Sequence, residues 1–308
     1  MKQKLKWIGN ILTILSLAFI VYAVWKLGLD FSSITNVPVF ILVMLVGVAG
    51  KTGTVFLSGT VWNSWLSFFA GKKGDLREAY YVYTKANTGK YLPGNVMQYV
   101  ERNLFADKLG VDQKRVAASS LIEVVSLVLV ALLTALLFSS GQLSSAVKAV
   151  ADALGGRMIV LIVAVVALVL AGAVVLLVIF RKKLAGVLKD YRMTDFIVRL
   201  IASMAGQAVV LSILGLIFVM LYIYMGGKVS FGEGMAIVSG YIISWVLGFI
   251  VPGAPGGIGI REMVLTLLVG SIVGQKLVVT IALIHRLITI VGDFLAYLIG
   301  IVFCKSKT

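Results

Sequence analysis

Four ionisable residues, Lys51, Glu123, Arg286 and Asp293, lie inside stretches that are otherwise long and apolar enough to cross a bilayer. A charge at membrane depth is costly unless it is paired or faces a wet cavity, so each is a functional candidate by default. Lys90, His285 and two adjacent pairs, Glu101-Arg102 and Arg261-Glu262, lie close to them in sequence. The cations Lys51, Lys90, Arg102, Arg261 and Arg286 suit an anionic headgroup. Glu101, Glu123, Glu262 and Asp293 suit neutralisation of those cations or proton transfer. A plainer reading makes the Glu-Arg pairs staples between short and long helices, and for Glu101 and Glu262 it is preferred. A histidine side chain ordinarily titrates near neutrality, so His285 offers a proton-linked switch, although a lone histidine on a helix is more commonly a hydrogen-bonded packing residue.

Two Pro-Gly breaks accompany these charges: Pro93-Gly94-Asn95, and the run from Pro252 to Gly259. Irregular backbone is tolerated at membrane depth only where protein buries it or where it lines a cavity. Helices restarting near Asn95 and Gly257 would present free N–H groups to a phosphate or carboxylate; sharp turns alone would produce the same sequence.

The elements that must position these groups are membrane helices. The 308 residues are 60% hydrophobic and only 13% charged, against about a quarter charged in a soluble domain. Mean hydropathy is +1.04. The net charge of +15 is gathered in short clusters between apolar runs, which is the positive-inside pattern of a bacterial-type cytoplasmic membrane and not a nucleic-acid surface. Spans are expected at Trp7 to Leu27, Val37 to Phe69, Val116 to Phe138, Met158 to Phe180, Phe196 to Tyr224 and Leu277 to Phe303, with both termini cytoplasmic. The first is read as a retained span and not a cleaved signal. The second is too long for a roughly 30 Å core, so it must tilt, protrude or break, and Lys51-Thr52-Gly53 and Ser58-Gly59-Thr60 are its natural weak points. Residues 76–108 read as a re-entrant hairpin of short helices entering from the cytoplasm. Glu233 to Gly274 read as half-helices entering from outside, with two full spans an equal fit. Asp195 and Arg199 are expected to snorkel at a cytoplasmic end. The expected fold is thus an all-α polytopic bundle in one transmembrane domain.

The order span, hairpin, span occurs twice, over residues 37–138 and 196–303. Aligning Pro93 with Pro252, and allowing a few residues of slippage, brings Ala49-Gly50-Lys51 onto Ala205-Gly206-Gln207, Glu101-Arg102 onto the neighbouring Arg261-Glu262, and Glu123 onto His285. The inferred topology makes the two units inverted repeats, an architecture of transporters. One cysteine and one histidine cannot build a disulfide or a Cys/His metal site. There is no His-Glu-x-x-His, Gly-x-Ser-x-Gly or Walker loop, so neither an enzyme nor a cofactor is expected. Gly256-Gly257-Ile258-Gly259 lacks the context of a dinucleotide site.

Lys90-Tyr91-Leu92-Pro93-Gly94-Asn95 with Gln98 and Glu101-Arg102, then Ala118 to Glu123, Pro255 to Glu262, and Leu283 to Arg286 with Thr289 and Gly292-Asp293, resemble the lysylphosphatidylglycerol synthase transmembrane region family. The resemblance covers most of the chain. It implies a membrane fold and lipid translocation, since the family includes the membrane half of the multiple peptide resistance factor, which flips aminoacylated phosphatidylglycerol. Other members stand alone and are linked to envelope glycolipid or polysaccharide pathways. Asn95, Glu123, Arg261, Glu262, Arg286 and Asp293 fall on family-motif positions, whereas His285 stands where an aromatic residue is expected. Bifunctional members continue into a cytosolic aminoacyl-transferase domain. This sequence ends at Thr308, so the expectation is a protein that does not itself make the lysyl-lipid.

The reading that results is a flippase for an anionic phospholipid, aminoacyl-lipid or lipid-linked glycan headgroup, with membrane lipids as its partners. Its rivals are an ion-coupled transporter of a small anion and a non-catalytic membrane subunit that recruits an envelope-synthesis enzyme.

Overall fold

The computed structural model describes residues 36–92, 96–105, 109–138, 192–250 and 259–304. The expected spans Trp7 to Leu27 and Met158 to Phe180, and the break residues 93–95 and 251–258, lie outside them. Among the described residues the secondary structure is entirely helical: α1 (Val37–Ala70), α2 (Leu76–Asn87), a 3-10 turn (Thr88–Tyr91), α3 (Met97–Leu104), α4 (Gln113–Phe138), α5 (Met193–Tyr224), α6 (Phe231–Ile250), α7 (Ile260–Val273) and α8 (Gln275–Phe303). Four of them, α1, α5, α6 and α8, are long and apolar enough to cross a membrane.

α1 starts where the Asn36 side chain accepts from Val39 N at 3.2 Å, with Pro38 in the first turn, and it stops at Gly71 in the left-handed conformation. Its 34 residues extend about 50 Å. Of the alternatives the sequence left open, a break is not the one taken: α1 passes through Lys51-Thr52-Gly53 and Ser58-Gly59-Thr60 as continuous helix. The hydroxyls that compete with helical hydrogen bonds are absorbed within the helix: Thr52 donates to Val48 O at 2.8 Å, and Thr54 to Lys51 O at 2.6 Å. The glycines are points of close approach. A methyl group at Gly59 would lie 3.1 Å from the Tyr80 ring of α2.

α1 packs on α2, α4, α5 and α8 and is the axis of the bundle. One buried apolar cluster joins α4, α5, α6, α7 and α8, a second ties α1 to α2 and the end of α8, and an aromatic one centred on Trp65, Phe68 and Phe69 joins α1, α4 and α5. Outward faces are also apolar: Ile41, Leu42 and Leu45 on α1, Val198 and Ile201 on α5, and Val302 and Phe303 on α8 are all exposed. A bundle apolar both inside and outside has lipid as its solvent.

The two interrupted segments differ. α2, the 3-10 turn and α3 are short, as the sequence suggests, and face each other across residues 93–95. In the second segment, the expected pair of half-helices is unequal. α6 has 20 residues and meets the length and composition of a span, while α7 has 14. Between Phe231 and Ile250 the only charge is Glu233 in the first turn and there is no proline. Nothing therefore stops the helix until the approach to Pro252.

α1 and α8 cross at Gly292. Thr52 Oγ1 donates to Gly292 O at 3.2 Å, and a Cβ there would lie 2.6 Å from Lys51 Cγ and 3.2 Å from Val48 O. Small residues permit this approach in membrane bundles. Gly292→Ala is expected to force the helices apart, lowering stability by about 1–3 kcal/mol and shifting Lys51. Denaturant titration in detergent checks the loss, and a variant as stable as the parent would contradict this account of the crossing.

Candidate functional site

Asp293, one residue beyond that crossing, is fully buried and binds four donors from three elements. Lys51 Nζ of α1 lies at 3.0 Å and Lys90 Nζ of the 3-10 turn at 2.6 Å. Tyr91 OH donates at 2.6 Å and Asn87 Nδ2 at 2.8 Å. A 3-10 turn eclipses residues three apart, which stacks Asn87 on Lys90 (Nζ to Oδ1, 3.3 Å) and aims both at the same carboxylate.

Two further ion pairs tie short helices to long ones. Arg102 of α3 pairs with Glu123 of α4, whose other oxygen accepts from Tyr83 OH at 2.8 Å. The Arg102 guanidinium also lies over three rings, Tyr83 at 4.1 Å, Tyr99 at 5.1 Å and Trp62 at 5.3 Å. Arg286 of α8 pairs with Glu262 of α7 at 2.7 Å, and the second oxygen of Glu262 accepts from Gly259 N at 2.8 Å, capping α7. Gly259 has a φ of +87°, a conformation open to glycine and strained for other residues, so it sets where α7 begins.

Arg261 has no such partner. Its guanidinium lies 5.5 Å from the Trp245 ring, its Nε has no hydrogen-bond partner, and no carboxylate is within ion-pair distance among the described residues.

These groups converge on a cavity of about 140 Å³ inside the bundle. Its lining includes Lys51, Lys90, Arg102, Arg261 and Arg286 but, of the carboxylates, Glu123 and Asp293. Three lining donors, Arg102 Nε, Arg261 Nε and Gln207 Nε2, are buried and unpaired among the described residues. Apart from Glu123 and Gln207, α4 and α5 contribute only apolar side chains, among them Leu127 and Leu211. The space holds on the order of ten waters or one small polar headgroup.

Seven of the ten residues selected from sequence therefore share one cavity. Glu262 stands behind Arg286 as its counter-ion. Asn95 lies outside the described residues. His285 is buried off the lining, between Phe218 (6.0 Å) and Tyr241 (4.7 Å), and its Nε2 donates to Leu214 O at 2.9 Å. That bond fixes the tautomer and gives the ring the packing role. Arg199 donates to Ser64 O and Ser64 Oγ, both at 2.9 Å, and lies in an open cleft with Lys72, Lys73, Arg192 and Asp195.

Sequence selection passed over Asn87, Tyr91, Tyr83 and Gln207. The first three were signalled by the amphipathic stretch from Leu76, where they recur at helical spacing on the face that meets the cavity. Gln207 was signalled by the internal alignment that sets it opposite Lys51: both line the cavity.

Membrane-length helices around a buried, charge-lined cavity define a polytopic integral membrane protein. The family described as the lysylphosphatidylglycerol synthase TM region matches residues 12–296, and the chain belongs to it. Comparison with curated proteins and with solved structures returns no match.

Proposed function

We propose that the protein moves a lipid headgroup across the bilayer through this cavity, the acyl chains remaining in the surrounding lipid. The observation that carries the reading is a cluster of charges and unpaired donors, among the described residues, around an internal space in a bundle whose long helices carry apolar outward faces. Such groups are retained at membrane depth when a polar guest or water satisfies them. The family match is consistent with a lipid-handling role.

The same reading takes the two interrupted segments as re-entrant units of an inverted repeat with cytoplasmic termini. Two features support the repeat. Lys51 and Gln207, aligned with each other, line the same cavity. Each short helix is tied to the long helix after it by an ion pair, with the cation on the short helix in Arg102–Glu123 and on the long helix in Glu262–Arg286. No chemical transformation of the lipid is part of this proposal.

The test is a flipping assay in liposomes, following the protection of fluorescent headgroups from an external quencher. Protein-dependent exchange is expected, and Glu123→Ala and Arg286→Ala are expected to slow it at least about tenfold, the effect of losing a charge-assisted hydrogen bond. Absence of protein-dependent exchange for every anionic, zwitterionic and glycosylated lipid tried would refute the reading.

A further inference from the structure

Resting on that reading, we infer that the cavity takes a headgroup of net negative charge, with Arg261 as its phosphate-binding residue, and disfavours a cationic aminoacylated headgroup. An ammonium entering the cavity needs a carboxylate or unsatisfied oxygens. Both lining carboxylates are committed: Asp293 accepts from Tyr91 and Asn87 and pairs with two lysines, and Glu123 holds Arg102 and Tyr83 OH. Glu262 is engaged by Arg286 and by Gly259 N.

The donors are in the opposite condition. Arg102 Nε, Arg261 Nε and Gln207 Nε2 are buried on the lining without partners among the described residues, and each needs an oxygen. A phosphodiester supplies oxygens and one negative charge. A lysyl ester of phosphatidylglycerol brings two ammonium groups against one phosphate, into a wall already richer in cations than in carboxylates.

Arg261 is singled out by its surroundings. Its side chain packs against Gly248, where a Cβ would overlap its Cγ, and its guanidinium lies over Trp245, which in turn stacks on Phe249 with ring planes 4° apart. The group is held by packing, while its charge is not spent on a carboxylate. A planar guanidinium offers a fork of donors that matches phosphate geometry, which lysine does not reproduce.

The experiment has a transport arm and a binding arm. In phosphatidylcholine liposomes carrying the full chain, trace fluorescent phosphatidylglycerol, phosphatidylcholine and lysyl-phosphatidylglycerol are compared. Phosphatidylglycerol is expected to cross about tenfold or more faster than the lysyl-lipid. Arg261→Ala should abolish that preference and Arg261→Lys restore it only in part. In detergent, short-chain phosphatidylglycerol, its lysyl ester and free glycerol phosphate are titrated against tryptophan fluorescence. Tighter binding of the short-chain anionic lipid than of its lysyl ester supports the inference even if no lipid is transported, in which case only the flipping reading fails. Glycerol phosphate binding as tightly as the lipid keeps the anion preference and overturns the lipid as its source. Equal or better handling of the lysyl-lipid, no binding of either lipid, or an Arg261→Ala variant that retains the wild-type preference overturns the inference.

Discussion

Asp293→Asn is expected to destabilise the protein by about 3–5 kcal/mol, the usual penalty for removing one partner of a buried ion pair. Asparagine keeps the shape and one acceptor but removes the charge that Lys51 and Lys90 share, at a fully buried site. Its amide also places donors where Tyr91 OH and Asn87 Nδ2 already donate. Because the four partners come from α1, α2 and the 3-10 turn, the damage should spread: the hairpin should loosen from α1 and α8, and amide exchange at Thr88–Tyr91 should rise. Lys51→Met in the same background removes one of the two uncompensated cations and should recover part of the loss. Stability is read by denaturant titration in detergent. A loss below about 1 kcal/mol would mean that water reaches the lysines and that Asp293 does not hold the hairpin.

How far this hub was legible in sequence depends on which link is considered. An aspartate and a lysine inside apolar runs announce themselves, because the cost of an unpaired charge in lipid leaves few alternatives to pairing or function. Their mutual pairing is set by the Gly292 crossing, and no local pattern states which two helices cross there. The unbroken course of α1 was hidden for a related reason. Lys51-Thr52-Gly53 is a poor helix former by propensity, but Val48 O, Lys51 O and Gly292 O absorb its hydroxyls, and tertiary packing overrides propensity. That Arg199 meets Ser64 could not be read from sequence, because the polar side of α1 is visible only once α5 is placed alongside. Gln207 was within reach, since the alignment that pairs it with Lys51 carries the information, but an uncharged amide does not stand out as an intramembrane charge does.

Arg102 and Glu123 allow stability and function to be separated. Removing Glu123 alone, as Glu123→Leu, leaves a buried guanidinium compensated, among the described residues, by the rings of Tyr83, Tyr99 and Trp62, and about 3–5 kcal/mol should be lost. Arg102→Lys keeps the charge but loses the flat face that lies on those rings, a change of about 1–2 kcal/mol at a desolvated site. The double variant Arg102→Met, Glu123→Leu removes both charges and conserves much of the volume. Replacement of a whole buried pair by apolar groups is often neutral or stabilising, so it is expected to approach the parent in denaturant titration, with a strongly favourable coupling between the two changes. Transport should not recover with stability. The double variant deletes a cation and a carboxylate from the cavity lining, including Arg102 Nε, unpaired among the described residues, and leaves an apolar surface where the proposed function requires a headgroup to be solvated. Headgroup exchange is therefore expected to remain at least about tenfold below the parent. If exchange returned along with stability, the pair would be a staple between α3 and α4 alone, and headgroup recognition would have to rest on Arg261, Gln207 and the groups around Asp293.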